Sequence, residues 1–309
     1  MLNYNQIPFV KLKKNLTASY GDYLHPLGAG ASGSVSLFRR FEDRQLVAIK
    51  HFNPPPGQSQ IERKEYERQI KLEYHVGALL NGLDGISQSI DLIYVAPSAT
   101  WHLVTEYSPR NLAAERGRLS KSDTLEIFYQ TLNATRSIHQ RSLVYGDAKV
   151  ENILLTHQGD VKLIDFGSAT LAKCRVESPR DDVNVVPGDF GTPAYMPPEV
   201  FNVLEYDRQK ADVWAMGILL HAMFLGHPPW DIASVSDGRF RYFMGWETKG
   251  AGERRCLVPY SKIEYATSSV GRVELLGQFP RSVRALAWHL LEPDPARRSS
   301  LDALFVATA

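Results

Sequence analysis

A glycine-rich segment at residues 27–35 constrains the fold of this chain more than any other feature. Gly28, Gly30 and Gly33 are spaced so that a backbone can close over phosphate groups without side-chain clashes. Dinucleotide-binding folds share this spacing, but they need a helix directly after the glycines. Here residues 35–38 continue as a strand. The segment therefore favours a strand–turn–strand over phosphates, with a plain glycine-rich turn as the alternative.

Length and charge limit the classes of protein to consider. A chain of 309 residues predicts about two lobes or domains, and a net charge of +1 makes nucleic acid or an anionic membrane an unexpected main partner. The only cysteines, Cys174 and Cys256, cannot form a disulfide framework, which fits a cytoplasmic protein. Residues 1–10 lack a signal-peptide pattern. The longest apolar run, residues 213–225, is too short for membrane insertion and predicts a buried helix.

The order of predicted elements indicates an α+β, bilobal fold with a small β-rich lobe followed by a larger helical lobe. We expect a lead-in at residues 1–19, the first lobe at 20–107 and the second at 108–309. Strands are predicted at residues 90–95 and 101–105, and helices at residues 58–80, 125–139 and 211–224.

A lysine, Lys50, ends the apolar strand 47–50 and follows Gly33 by 17 residues. Such a lysine often only marks where a strand reaches solvent. A functional one needs a carboxylate partner, and the next predicted helix carries four candidates, Glu62, Glu65, Glu67 and Glu73. We choose Glu73 because the residues after it lead into the apolar end of that helix.

Two aspartates follow in the predicted helical lobe. Asp147, Lys149 and Asn152 form the pattern D-x-K-x-x-N, which places a carboxylate, an ammonium and an amide in one loop. Asp165 ends an apolar strand 18 residues after Asp147 and is followed by Phe166 and a glycine. Each motif alone could be an ordinary surface turn or a turn-forming aspartate.

Three further segments complete the series. They are Gly-Thr-Pro-Ala-Tyr-Met-Pro-Pro-Glu at residues 191–199, Asp-Val-Trp-Ala-Met-Gly at 212–217 and Asp-Pro-Ala-Arg-Arg at 294–298. Together the motifs occur in the order and at the distances of eukaryotic protein kinases, which this chain resembles over about residues 20–306. The resemblance implies transfer of the γ-phosphate of ATP, with Mg²⁺, to serine or threonine hydroxyls of protein substrates.

The same resemblance implies roles for individual residues. Asp147 is the expected catalytic base, Lys149 balances charge on the γ-phosphate, and Thr192 bridges the two. Asn152 and Asp165 are the expected metal ligands. The expected nucleotide-binding residues are Gly28, Gly30, Gly33, Val35, Ala48, Lys50, Glu73, Thr105, Glu106 and Tyr107.

Other residues are expected to support this machinery. Phe166 would pack beneath the helix that carries Glu73, and Asp212 would support the catalytic loop from beneath. Glu199 would form a buried ion pair with Arg298, because a buried acid without a partner is costly.

The chain is most similar to fungal kinases of the halotolerance and nitrogen-permease-reactivator type. This resemblance is carried first by residues 65–80, where a glycine stands four positions after the glutamate expected to pair with Lys50. Further matches are residues 106–109, 206–214, 228–232 and 240–243. In that family the kinases regulate plasma-membrane transporters. Lys149 and residues 191–195 are typical of serine/threonine kinases rather than tyrosine kinases.

The chain also departs from the kinase pattern. Gly146 stands where an arginine usually clamps a phosphorylated activation loop, so we hypothesise that activity needs no phosphate there. Alanine at Ser168, Thr170 and Ser178 would test this. Gly77 is expected to leave a gap where an apolar residue is usual, and Thr105, at the gatekeeper position, is expected to open a back pocket.

Two other functions stay open. Tyr-Gly-Asp at residues 145–147 is similar to the His-Gly-Asp of aminoglycoside and choline phosphotransferases, although the segments at 191–199, 212–217 and 294–298 belong to the peptide-docking lobe of protein kinases. A non-catalytic pseudokinase scaffold is the second alternative, and the presence of Lys50, Asp147, Asn152 and Asp165 argues against it.

Overall fold

The structure, a computed structural model, describes residues 7–30, 32–53, 59–172, 191–201, 206–246 and 269–307. The chain forms two compact units. The first comprises Met1–Arg110 and Leu154–Gly167, and the second comprises Asn111–Ile153 and Ser168–Ala309.

The first unit is built on a six-stranded sheet in the order β1-β5-β6-β4-β3-β2. Its edge strand β1 pairs in parallel with β5, and the remaining neighbours pair antiparallel. The strands are β1 (Val10–Leu12), β2 (Gly21–Gly30), β3 (Gly33–Arg40), β4 (Leu46–Phe52), β5 (Ser89–Val95) and β6 (Thr100–Glu106). The helices are α1 (Leu16–Ser19) and α2 (Gln60–Leu79).

Helix α2 begins at a capping box, in which Ser59 and Glu62 satisfy each other's backbone amides. Its inner side buries Ile70, which packs with residues of β4, β5 and β6 in a hydrophobic cluster of the sheet. Glu73, Val76 and Gly77 are buried on the same helix. Helix α2 thus packs against the sheet beside Lys50 of β4.

The second unit is mainly helical. Its elements are α3 (Leu112–Glu115), α4 (Lys121–His139), β8 (Leu143–Val144), β11 (Thr170–Leu171), α5 (Arg208–Leu225), α6 (Gly238–Met244), α7 (Val270–Gly277), α8 (Arg284–Leu290) and α9 (Leu301–Ala307). Strands β7 (Arg110–Asn111), β9 (Ile153–Leu155) and β10 (Val161–Leu163) complete the described strands.

Helix α5 lies at the centre of the second unit. Asp207 caps its N-terminus, and Gly226 ends it in the left-handed conformation at a φ of 85°. Residues 212–222 are all buried, as expected of a helix that is apolar on every side. Trp214 stacks on Trp230 with ring centroids 5.8 Å apart. The predicted buried helix is therefore confirmed, and no helix of the described ranges is long and apolar enough to cross a membrane.

The predicted α+β organisation, a β-rich part followed by a helical part, is confirmed. The unit boundaries differ from the predicted ones in three places. The first stretch of the first unit ends at Arg110 instead of residue 107. Residues 10–12 of the expected lead-in form a strand of the sheet. Residues 154–167 belong to the first unit, because the backbone of Leu163 exchanges hydrogen bonds with Gly85 and Ser87 at 2.7 and 3.0 Å.

Candidate functional site

The glycine-rich segment forms the hairpin β2–β3, in which Gly28 pairs with Val35 and Gly30 with Gly33. At Gly28 and Gly30 nothing lies within 4 Å of the position that a Cβ atom would take. Gly33 differs, because a Cβ there would lie 2.0 Å from the carbonyl oxygen of His51. The first two glycines therefore expose bare backbone, whereas the third allows β4 to approach closely.

Strand pairing groups four of the predicted nucleotide-binding residues on neighbouring strands. Val35 pairs with Lys50 across β3 and β4, and Ala48 pairs with Thr105 across β4 and β6. Glu106 ends β6, and its carboxylate lies 3.0 Å from the Lys162 ammonium. Tyr107 follows directly after β6.

Lys50 is the centre of a buried charge cluster in the first unit. Its Nζ lies 2.8 Å from Glu73 Oε1 and 3.2 Å from Asp165 Oδ1. Burial by itself would lower the pKa of Lys50, but the two carboxylates outweigh it and the pKa is raised. The lysine is therefore a stable cation held between two acids.

The other three candidate glutamates of α2 interact elsewhere. Glu62 belongs to the capping box, Glu65 accepts two hydrogen bonds from Arg68, and Glu67 lies 3.9 Å from Lys71. Of the four, Glu73 alone lies against Lys50 in the described part of the chain.

Asp165 adopts a φ of 59°, an uncommon conformation for a residue other than glycine. Its side chain is 37% exposed, whereas that of Glu73 is 7% exposed. Backbone strain of this kind persists where the surrounding structure over-determines it, and such residues cluster at functional sites. Asp165 thus offers an accessible carboxylate oxygen beside the buried Lys50–Glu73 pair.

The expected gap at Gly77 is not present, and that prediction is wrong. A Cβ at Gly77 would lie 2.1 Å from Ser89 Oγ and 3.3 Å from Phe166 Cδ2. The Ser89 side chain and the buried Phe166 ring occupy the space that a larger residue would fill. Phe166 thus packs against the helix that carries Glu73.

The second unit holds a cluster around Asp147. Lys149 Nζ lies 2.6 Å from Asp147 Oδ2, and Thr192 Oγ1 donates to Asp147 Oδ1 at 3.1 Å. Lys149 also donates to Thr192 Oγ1 at 3.1 Å. The Asn152 amide nitrogen donates to Asp147 Oδ2 and to its backbone carbonyl, both at 2.9 Å. A cavity of this unit is bordered by Asp147, Thr192 and Met196.

Asp212 supports this loop from α5. Its carboxylate accepts hydrogen bonds from the backbone amides of Tyr145 and Gly146 at 2.8 and 2.9 Å. His139 Nε2 lies 2.8 Å from the same carboxylate. Sequence reasoning missed His139, because it is 73 positions from Asp212 and no local pattern connects the two.

Gly146 has a φ of 83°, and a Cβ there would lie 2.5 Å from the carbonyl oxygen of Ser168. Gly191 has a φ of 93°, and its Cβ would lie 2.5 Å from the carbonyl oxygen of Gly146. The positive φ and the close backbone contact therefore favour glycine at position 146 independently of any role in catalysis. Ser168 and Thr170 are described, whereas Ser178, Cys174 and Cys256 lie outside the described residues.

Glu199 and Arg298 form the predicted buried ion pair. The two terminal nitrogens of the guanidinium, Nη1 and Nη2, donate to the carboxylate at 2.6 and 3.1 Å, and both side chains are at most 1% exposed. Arg298 also donates to the carbonyl oxygens of Glu292 and Lys210 at 2.7 and 2.8 Å. The geometry is the bidentate one that makes arginine pairs strong.

Comparison with known proteins places these features in a family. The model described as protein kinase domain matches residues 22–307. The serine/threonine-protein kinase oca2 of Schizosaccharomyces pombe is 28% identical over 94% of this chain and 48% of its own length. Two Saccharomyces cerevisiae proteins match over shorter stretches. The probable serine/threonine-protein kinase RTK1 is 31% identical over 74% of the chain and 37% of its own length. The nitrogen permease reactivator protein is 30% identical over 70% and 27%. This chain therefore spans less than half the length of these relatives.

Proposed function

This chain belongs to the protein kinase family, and we propose that it transfers the γ-phosphoryl group of ATP to serine or threonine hydroxyls of protein substrates. The observation that carries the proposal is the Asp147 cluster. The Asp147 carboxylate is held by Lys149, Thr192 and Asn152 at 2.6–3.1 Å and lines a cavity. The relatives named as serine/threonine-protein kinases support the choice of substrate hydroxyl.

The residues present fit a nucleotide and Mg²⁺. The bare backbone at Gly28 and Gly30 is a cradle that a Cβ atom would fill. Mg²⁺ prefers hard oxygen ligands. Asp165 offers a partly exposed carboxylate, and Asn152 uses its amide nitrogen for its hydrogen bonds to Asp147. Bound Mg²⁺ would neutralise charge on the phosphates.

Each residue of the two clusters then has a task. Lys50 would bind the α- and β-phosphates, and Glu73 would keep its ammonium in place. Asp147 would orient the substrate hydroxyl and accept its proton, within hydrogen-bond reach of the acceptor oxygen. Lys149 would bind the transferred phosphoryl group, while Thr192 holds Lys149 and Asp147 in register.

The proposal has three further parts, which concern the location of the protein, its substrates and its activation. The low cysteine content supports a cytoplasmic setting. The protein substrates are proposed from the kinase resemblance and from the Glu199–Arg298 pair, which belongs to the peptide-docking region of that family. Activity without a phosphate clamped at Gly146 is proposed as well. Alanine at Ser168, Thr170 and Ser178 should leave the rate nearly unchanged, and a large loss at one position would contradict this part.

The test of the main proposal is phosphate transfer from labelled ATP to a panel of proteins and aminoglycosides. Asp147→Asn should lower the rate by about 10²–10⁴-fold, because it removes the proposed base. Asp84→Asn, an exposed carboxylate of the first unit, is the matched control and should keep wild-type activity. Labelling of aminoglycosides alone would favour a small-molecule phosphotransferase. Equal background transfer by wild type and Asp147→Asn would favour a pseudokinase scaffold.

A further inference from the structure

The residues before β2 pack closely on the first unit. Ile7 is 6% exposed, and β1 extends the sheet by pairing Val10 with Ile93 of β5 in parallel. The Leu12 carbonyl oxygen accepts a hydrogen bond from the Ala96 amide at 3.0 Å. The segment from Ile7 to Leu12, which we call the N-terminal strap, is therefore anchored at both ends.

Phe9 lies between these anchors and contacts an aromatic residue of the sheet. Its ring centroid is 5.0 Å from that of Trp101 on β6, at an interplanar angle of 64°. Trp101 in turn contacts Tyr94 of β5 at 4.9 Å. Edge-to-face pairs at this separation are favourable.

Lys71 of α2 connects this aromatic group to the helix. Its ammonium lies 5.5 Å from the ring centroid of Phe9 and 5.5 Å from that of Trp101. Its carboxylate neighbour, Glu67, is 3.9 Å away, and the side chain is only 13% exposed. The Glu67 carboxylate and the two rings are thus the close environment of this cation, and cation–π attraction contributes to holding it there.

Lys71 stands two positions before Glu73, which is about 200° around a helix of 3.6 residues per turn. Lys71 therefore holds α2 from one side, while Glu73 meets Lys50 at 2.8 Å on another. A rotation of α2 that separated Glu73 from Lys50 would also move Lys71 away from the two rings. The two contacts therefore constrain the same rotation.

We propose that Phe9 is a positioning residue of the phosphoryl-transfer site, which acts through Lys71 and α2 to keep Glu73 against Lys50. The inference rests on the proposed function. It predicts that the N-terminal strap affects kcat/KM for ATP although no residue of the strap contacts the nucleotide.

The experiment compares Phe9→Ala with Phe41→Ala in the full chain. The two phenylalanines lie in the same unit and are 42% and 43% exposed, so their removal exposes similar surface. Phe9→Ala should lower kcat/KM for ATP by about tenfold, leave KM for the protein substrate unchanged, and be rescued by Phe9→Tyr. Phe41→Ala should keep wild-type kinetics. Equal kinetics of the two alanine variants would overturn the proposal.

Hydrogen exchange of the α2 amides tests positioning independently of catalysis. Phe9→Ala and Lys71→Met should both speed exchange over residues 60–79, whereas Phe41→Ala should not. If wild type and Phe41→Ala transfer no phosphate, the proposed function fails, and the exchange comparison still decides whether the strap holds α2. Unchanged exchange in Phe9→Ala would refute the positioning role.

Discussion

Gly77 offers a sharp test of the packing behind Glu73. In Gly77→Ala the new Cβ would lie 2.1 Å from Ser89 Oγ, closer than real contacts allow, and at a tight 3.1 Å from Ser89 Cβ. Ser89 is 3% exposed, so its hydroxyl can only move into other buried space. The Phe166 ring, 3.3 Å from the new atom, limits movement on another side.

Two opposing terms set the size of the effect on unfolding free energy. Alanine is favoured over glycine inside a helix by about 1 kcal/mol. Overpacking a buried site by one methyl group costs about 1–3 kcal/mol. We therefore expect Gly77→Ala to destabilise the protein by about 1 kcal/mol. Ser89→Ala removes the hydroxyl, so in that background the same change should be neutral or stabilising.

A double-mutant cycle measured by urea unfolding would check this. The four proteins are wild type, Gly77→Ala, Ser89→Ala and the double variant, with an expected coupling of about 1–2 kcal/mol. Gly277→Ala is the matched control, since this glycine of α7 has nothing within 4 Å of a Cβ and should only gain helix stability. Additive effects within about 0.5 kcal/mol would refute the packing argument.

Three further predictions concern single residues. Glu199→Ala should destabilise the protein by about 3–5 kcal/mol in urea unfolding, since it leaves the guanidinium of Arg298 buried without its carboxylate. Adding Arg298→Met to the Glu199→Ala variant should restore part of this loss. Burial and the neighbouring His51 lower the pKa of His102 to about 4, so the unfolded chain binds a proton first as the pH falls below about 6.5. The free energy of unfolding should therefore be highest above that pH and fall by about 3 kcal/mol as the pH approaches 4. Thermal unfolding measures this, and the loss should be smaller in His102→Gln. Gly146→Arg should give no gain in kinase activity. It should cost at least about 1–2 kcal/mol of stability, because of its positive φ and because its Cβ would lie 2.5 Å from the carbonyl oxygen of Ser168; a more active and equally stable variant would contradict this.

Short-range patterns predicted much of the fold. The glycine-rich hairpin, the lysine strand and α5 follow from alternation, apolar runs and turn residues that lie close together in the chain. Capping residues mark the helix starts, as Ser59 does for α2. The end of α2 was harder to predict, because Leu79 is 54% exposed while Leu80, just after the helix, is fully buried.

The features that could not be predicted from the sequence depend on contacts between residues that are far apart in the chain. Gly77 has the helix position expected for a gap, yet Ser89 of another element takes the space. The strap was expected to be a polar lead-in because residues 10–12 are too few to show a strand pattern, and their pairing with β5 is decided by contacts some 80 residues away. The positive φ of Asp165 likewise has no local signal, since only a few per cent of residues other than glycine adopt it.

The discontinuous first unit has a consequence for synthesis. A growing chain can form the sheet once residue 110 has left the ribosome, but the unit is complete only after residue 167. The 43 residues between, Asn111–Ile153, must first be made and looped out, at an entropic cost of about 3 kcal/mol for a flexible chain. Asp165, the acid that lies beside Lys50, arrives with that last piece. A nascent chain would therefore hold a paired Lys50 and Glu73 before Asp165 could join them, so the charge cluster around Lys50 is complete only after residue 167 has been made.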